Sequence, residues 1–205
     1  MRWMMRSIFA CAWLVGLPAL AQEANGCPAG SYSVIMSPDG TTVSILFDQF
    51  TVESGSNSVR GMQRKSCRIS SPLNLPADYS IGVYKVDYRG FAKLVARQES
   101  ELDVQYFLGP NDNEHGRVFK RKIKGPHESD YFFTENIGAG QMKRVGCGTT
   151  AMLNVSIKLS LDGDLRAGEA MASLDTTDAA PGGALTYHLN LKKCRRNGKL
   201  DRDQL

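Results

Sequence analysis

The chain of 205 residues carries 25 Lys and Arg against 21 Asp and Glu, a formal charge of +4, with 42% hydrophobic residues. That hydrophobic share is enough for a buried core, and the charge balance is too even to mark a nucleic-acid binder. The length fits one domain.

The chain opens as an export signal. Arg2 and Arg6 precede a short apolar run at residues 8–17, and Ala19-Leu20-Ala21 supplies small residues for cleavage before Gln22. The run is shorter than the roughly 20 residues of a membrane span, and no later segment is apolar enough to be one. Removing residues 1–21 leaves 205 − 21 = 184 residues and takes away two arginines and no acid, so the charge falls from +4 to +2. Residues 22–194 are then expected to form one exported, monomeric domain, secreted or periplasmic. Residues 195–205 follow as a basic, frayed tail.

Period-2 alternation dominates from there on. Residues 32–36 and 43–47 flank Ser37-Pro38-Asp39-Gly40, in which proline presets φ and Asp-Gly supplies a turn, so a hairpin is predicted. Residues 54–66 are rich in Gly, Ser and Asn and read as a loop. Strands are predicted over residues 69–75, 79–88, 91–96, 104–108, 118–123 and 131–134. Within 79–88 the apolar phase changes, because Tyr79, Ile81 and Val83 share one face and Tyr84, Val86 and Tyr88 the other; either Gly82 hosts a bulge that resets it or both faces are covered. The clearest strand runs over residues 151–162, where Ala151, Leu153, Val155, Ile157, Leu159 and Leu161 alternate with polar neighbours. Residues 162–183 read as a loop, with 165–174 the best candidate for a short helix. Leu185, Tyr187, Leu189 and Leu191 close the pattern. Many short strands with Gly/Pro turns predict an all-β fold, a single-domain antiparallel β-sandwich or flattened barrel.

Four cysteines survive cleavage: Cys27, Cys67, Cys147 and Cys194. In an oxidising compartment an even count predicts two disulfides, with three pairings open. Chain order favours Cys27–Cys67 and Cys147–Cys194.

Motifs with chemical meaning are few. Gly146-Cys147-Gly148-Thr149-Thr150-Ala151 matches the outline of a dinucleotide fingerprint, but a strand follows it where a helix is needed. Asp162-Gly163-Asp164 with Glu169 hints at a calcium loop; Arg166 occupies the fifth position, where an EF-hand needs an oxygen ligand. Calcium between sandwich loops remains the one cofactor to consider, with Asn111, Asp112, Asn113 and Glu114 as further donors. The run Lys120-Arg121-Lys122-Ile123-Lys124 reads as a solvated edge strand, since charges protect an edge from foreign pairing, with a basic patch for an acidic glycan or surface as the alternative. His115, His127 and His188 lack metal-ligand spacing, and no G-x-S-x-G elbow is present. Asn154-Val155-Ser156 is a glycosylation sequon.

Tyr84-Lys85-Val86-Asp87-Tyr88-Arg89-Gly90 sets one carboxylate between two cations and two tyrosines. Lys85, Asp87 and Arg89 fall on one strand face as a charge row, and Gly90 frees the chain to turn. A binding reading needs the tyrosines to be open, where their rings could stack on sugars. Tyr84, Asp87, Tyr88 and Arg89 are therefore the candidate binding residues, with a glycan, cell-surface component or protein as partner. No catalytic residue is singled out. The alternatives are a polysaccharide hydrolase, whose paired carboxylates no spacing reveals, and a structural envelope or matrix component.

The stretches GCPAGSYSVIMSPDGTTVSILFDQFTVE, RKSCRISSPLNLPADYSIGVYKVDYRGFAKL, GCGTTAMLNVSIKL and LTYHLNLKKC resemble the small secreted proteins of bacteria and fungi grouped as domain of unknown function 4360. The resemblance covers nearly the whole mature chain. It implies export and a four-cysteine β domain, and it implies no activity and no catalytic residues.

Overall fold

Alternating side chains fold this chain into two facing antiparallel sheets. The computed structural model describes residues 26–55, 63–109, 116–174 and 184–194. The expected signal segment and basic tail lie outside the described residues. Twelve strands form among them: β1 (Tyr32–Met36), β2 (Thr42–Phe47), β3 (Thr51–Ser54), β4 (Arg64–Leu73), β5 (Tyr79–Leu94), β6 (Gln98–Leu108), β7 (Arg117–Lys124), β8 (His127–Asn136), β9 (Arg144–Gly146), β10 (Ala151–Gly163), β11 (Ala170–Ser173) and β12 (Leu185–Lys193). A three-residue 3₁₀ turn, Ala139–Gln141, is the helical element among them.

β5 is the spine of the larger sheet. Along one edge it pairs with β12 and then β11, and along the other with β9 and then β8. β2 and β1 extend the sheet beyond β12, and β3 extends it beyond β11. The smaller sheet has the order β4-β10-β6-β7. Tyr88 of the larger sheet stacks on Phe119 of the smaller at 3.9 Å, and Tyr106 meets Tyr187 edge-on at 5.2 Å. These contacts fix the sheets face to face as a sandwich.

The core follows the sequence alternation. Leu153, Val155, Ile157, Leu159 and Leu161 of β10 are buried, as are Val43, Ile45 and Phe47 of β2. Each fully buried aliphatic of this kind contributes about 1.5–3 kcal/mol.

Three expectations are corrected. The phase of β5 does reset, but at Tyr84 rather than Gly82: Leu189 opposes Val83 and His188 opposes Lys85, which leaves Tyr84 as the extra residue of a bulge. Gly90 does not end the strand, and β5 runs straight through it. A Cβ there would lie 2.0 Å from the Ser173 carbonyl oxygen and 2.4 Å from Tyr131 Oη, so the missing side chain admits two neighbours rather than a turn. The candidate helix at 165–174 is a turn followed by β11, which pairs with β5 and β3 and turns Ala170 and Ala172 into the core.

Both disulfides join the pairs favoured by chain order, with Cα separations of 5.3 Å for Cys27–Cys67 and 5.6 Å for Cys147–Cys194. The first ties the segment before β1 to β4. The second ties the β9–β10 turn to the end of β12, beside the start of β5, where Cys147 and Cys194 donate backbone hydrogen bonds to Tyr79 and Asp78. Two such bonds place the folded chain in an oxidising compartment. Among the described residues no helix is long and apolar enough to cross a membrane.

Candidate functional site

The bulge at Tyr84 decides what the outer face of the larger sheet presents. On the N-terminal side Ile81 and Val83 point inward; past the bulge Val86 and Tyr88 do. Tyr84 belongs to neither set and turns out to solvent, 44% exposed. Lys85, Asp87 and Arg89 then share the outer face, as their spacing predicts. Tyr88 does not join them. It is buried, stacked on Phe119, and its hydroxyl donates to Glu135 Oε2 at 3.1 Å, so it is withdrawn from the candidate set.

Asp87 is the fixed point of this face. β12 and β8 flank it, with Thr186 and Thr134 directly opposite. Its Oδ1 accepts from Thr134 Oγ1 at 2.7 Å. Its Oδ2 lies 2.7 Å from His188 Nε2 and 3.0 Å from Lys85 Nζ. Burial pushes the Asp87 pKa up, but the hydrogen bonds from Thr134, Lys85 and His188 outweigh it and hold the carboxyl below its ordinary range. An ionised carboxylate only accepts, so His188 Nε2 carries the proton.

Two rings border this polar cluster. Tyr84 lies 6.0 Å from the His188 ring. Phe132 of β8, opposite Arg89, is 54% exposed, and the Arg89 guanidinium rests over it at 5.1 Å. Thr134, Phe132 and His188 join through cross-strand register, which one strand's spacing cannot show. His188 alternates with the buried Tyr187 and Leu189 of β12, so it lies on the outer face.

An oriented His–Asp pair becomes a catalytic base when a nucleophile meets its other ring nitrogen, and among the described residues no hydroxyl approaches His188 Nδ1.

The smaller sheet presents a second outer face that the motifs did not reveal. Lys120 and Lys122 of the edge strand β7 are not a bare basic patch: they pair with Asp103, Glu101 and Glu99 across β6. Beyond this charged ladder lies a groove of about 200 Å³ whose polar side chains are Arg68, Ser70, Gln105, Asn154 and Ser156. Asn154, the sequon residue, sits mid-sheet with Oδ1 accepting from Ser70 at 2.6 Å and Nδ2 donating to the Gly109 carbonyl at 3.3 Å.

The other motifs resolve structurally. Gly146, Cys147 and Gly148 all take positive φ in the turn between β9 and β10, with no helix following, so the dinucleotide outline is a disulfide-bearing turn. Asp164 pairs with Arg97 at 3.0 Å, and among the described residues no three His, Cys, Asp or Glu side chains gather to hold a metal. Asn111, Asp112, Asn113 and Glu114 lie outside the described residues.

A family model described as a domain of unknown function, DUF4360, matches residues 20–194. The chain belongs to this family. An "Uncharacterized secreted protein" of Arthroderma benhamiae is 25% identical over 157 residues, 76% of this chain and 63% of its own length. Two Arabidopsis thaliana proteins described as "Probable xyloglucan endotransglucosylase/hydrolase" proteins 30 and 29 match more narrowly. The first is 32% identical over 39% of this chain and 22% of its own length, and the second 28% over 52% and 30%. The chain thus spans less than two thirds of the length of each of these relatives.

Proposed function

We propose that this DUF4360 protein is an exported, non-enzymatic binding protein that takes a polysaccharide on the outer face of its larger sheet. The observation that carries the reading is the pair of open rings, Tyr84 and Phe132, on either side of the hydrogen-bonded Asp87. Sugars offer apolar C–H faces to aromatic rings and hydroxyls to fixed polar groups, and this face supplies both. Arg89 lies five residues beyond Tyr84 and opposite Phe132, so, allowing for the bulge, the Cα atoms that carry the two rings stand on the order of 13–16 Å apart along the strands, longer than a single sugar ring.

The relatives lend support at a coarser level. One is described as secreted, and two carry names concerned with xyloglucan, a polysaccharide. In this reading residues 1–21 direct export, residues 22–194 are the binding domain, and the domain acts as a monomer without calcium or another cofactor.

Affinity electrophoresis of the mature protein through gels containing single polysaccharides, neutral and acidic, tests it. At least one polysaccharide retards the protein, and Tyr84→Ala relieves the retardation. Equal retardation of wild type and variant in every gel refutes the reading.

A further inference from the structure

We infer that the groove on the opposite, smaller sheet is a second carbohydrate subsite, one that takes an oligosaccharide through its hydroxyls. It deepens the carbohydrate reading, but it rests on different residues and a different face. Cross-strand register builds it. Ser70, Asn154 and Phe107 stand abreast on β4, β10 and β6, and Arg68, Ser156 and Gln105 stand abreast in the next outward-facing row.

The lining decides the class of ligand. Among the described residues, two amides, two hydroxyls and a guanidinium face one groove. Amides and hydroxyls donate and accept side by side, which is what vicinal sugar hydroxyls require. The neighbouring acids do not reach in, since Asp103 is held by Lys120 at 3.0 Å and Glu99 by Lys122.

Asn154 is pre-oriented. Among the described residues, Ser70 occupies one lone pair of Oδ1 and the Gly109 carbonyl takes one N–H of Nδ2, so one acceptor and one donor of a fixed amide face the groove for a ligand. Fixing a polar group in advance lowers the ordering cost of binding. The Phe107 ring folds over Gly109, where a Cβ would lie 2.3 Å from it, and closes one end of the groove with an apolar wall.

Isothermal titration of the mature protein with a xyloglucan heptasaccharide tests the subsite. Gln105 is exposed, so Gln105→Ala leaves the fold intact and removes one amide; the affinity is expected to fall about tenfold. Ser156→Phe, which fills the groove, is expected to abolish binding, with circular dichroism confirming the fold. Wild type without measurable heat, or Gln105→Ala with unchanged affinity, overturns the subsite. A loss of heptasaccharide binding in Tyr84→Ala but not in Gln105→Ala also overturns it, while leaving the proposed function standing.

Discussion

His188 Nε2 donates to Asp87 Oδ2 over 2.7 Å, joining residues 101 positions apart in sequence through the pairing of β12 with β5. The same carboxylate receives Lys85 and Thr134, so one side chain ties three adjacent strands together on the outer face.

That relationship predicts a pH-dependent stability difference. Burial works to raise the Asp87 pKa, yet the hydrogen bonds leave it below the ordinary value of 3.8. A depressed carboxyl stabilises the fold above its unfolded value, and the contribution is lost as pH falls through the folded one. Asp87→Asn is expected to cost about 1–3 kcal/mol at neutral pH. Denaturant titrations should show the gap between variant and wild type closing as pH drops below 3.8.

Gly90 is required by close approach. Gly90→Ala sets a methyl group against the Ser173 carbonyl and the Tyr131 hydroxyl, which themselves share a 2.7 Å hydrogen bond. A loss of about 1–3 kcal/mol is expected. Gly138→Ala, where nothing lies within 4 Å, should change the melting temperature little.

The buried tyrosines should separate by their hydroxyls. Tyr88→Phe removes the donor to Glu135, which Arg117 also holds at 2.8 Å, and should cost about 1 kcal/mol. Tyr187→Phe deletes a buried hydroxyl with no hydrogen-bond partner and should be neutral or stabilising. Chemical denaturation of the two variants side by side checks the contrast.

Replacing Cys147 and Cys194 together by Ala opens a loop spanning 47 residues. The chain-entropy model sets the loss at about 4 kcal/mol. The variant should melt well below wild type, as thermal denaturation followed by circular dichroism would show.

The sequence made the regular strands legible because burial on one face writes itself as period 2; β2, β10 and β12 all follow it. What it hid depends on neighbours distant in the chain. The bulge sits at Tyr84 because of the register against His188 and Leu189, and Gly82 looked the better host only on local grounds. Gly90 carries the same mark as a turn glycine, and only the approach of Tyr131 and Ser173 distinguishes the two roles. β11 is only four residues long, and its buried Ala170 and Ala172 are too small to mark the alternation with Met171 in the sequence. Of the candidate residues, Tyr84, Asp87 and Arg89 reached the outer face; Phe132, Thr134 and His188 beside them are set by pairings that no single strand spells out.

The most direct test is an amide chemical-shift titration of isotope-labelled mature protein with the oligosaccharide form of whichever polysaccharide retards it. The account predicts that the backbone signals of Tyr84, Lys85, Asp87, Arg89, Phe132 and His188 shift together with ligand. Saturable binding that leaves all six unmoved would contradict it.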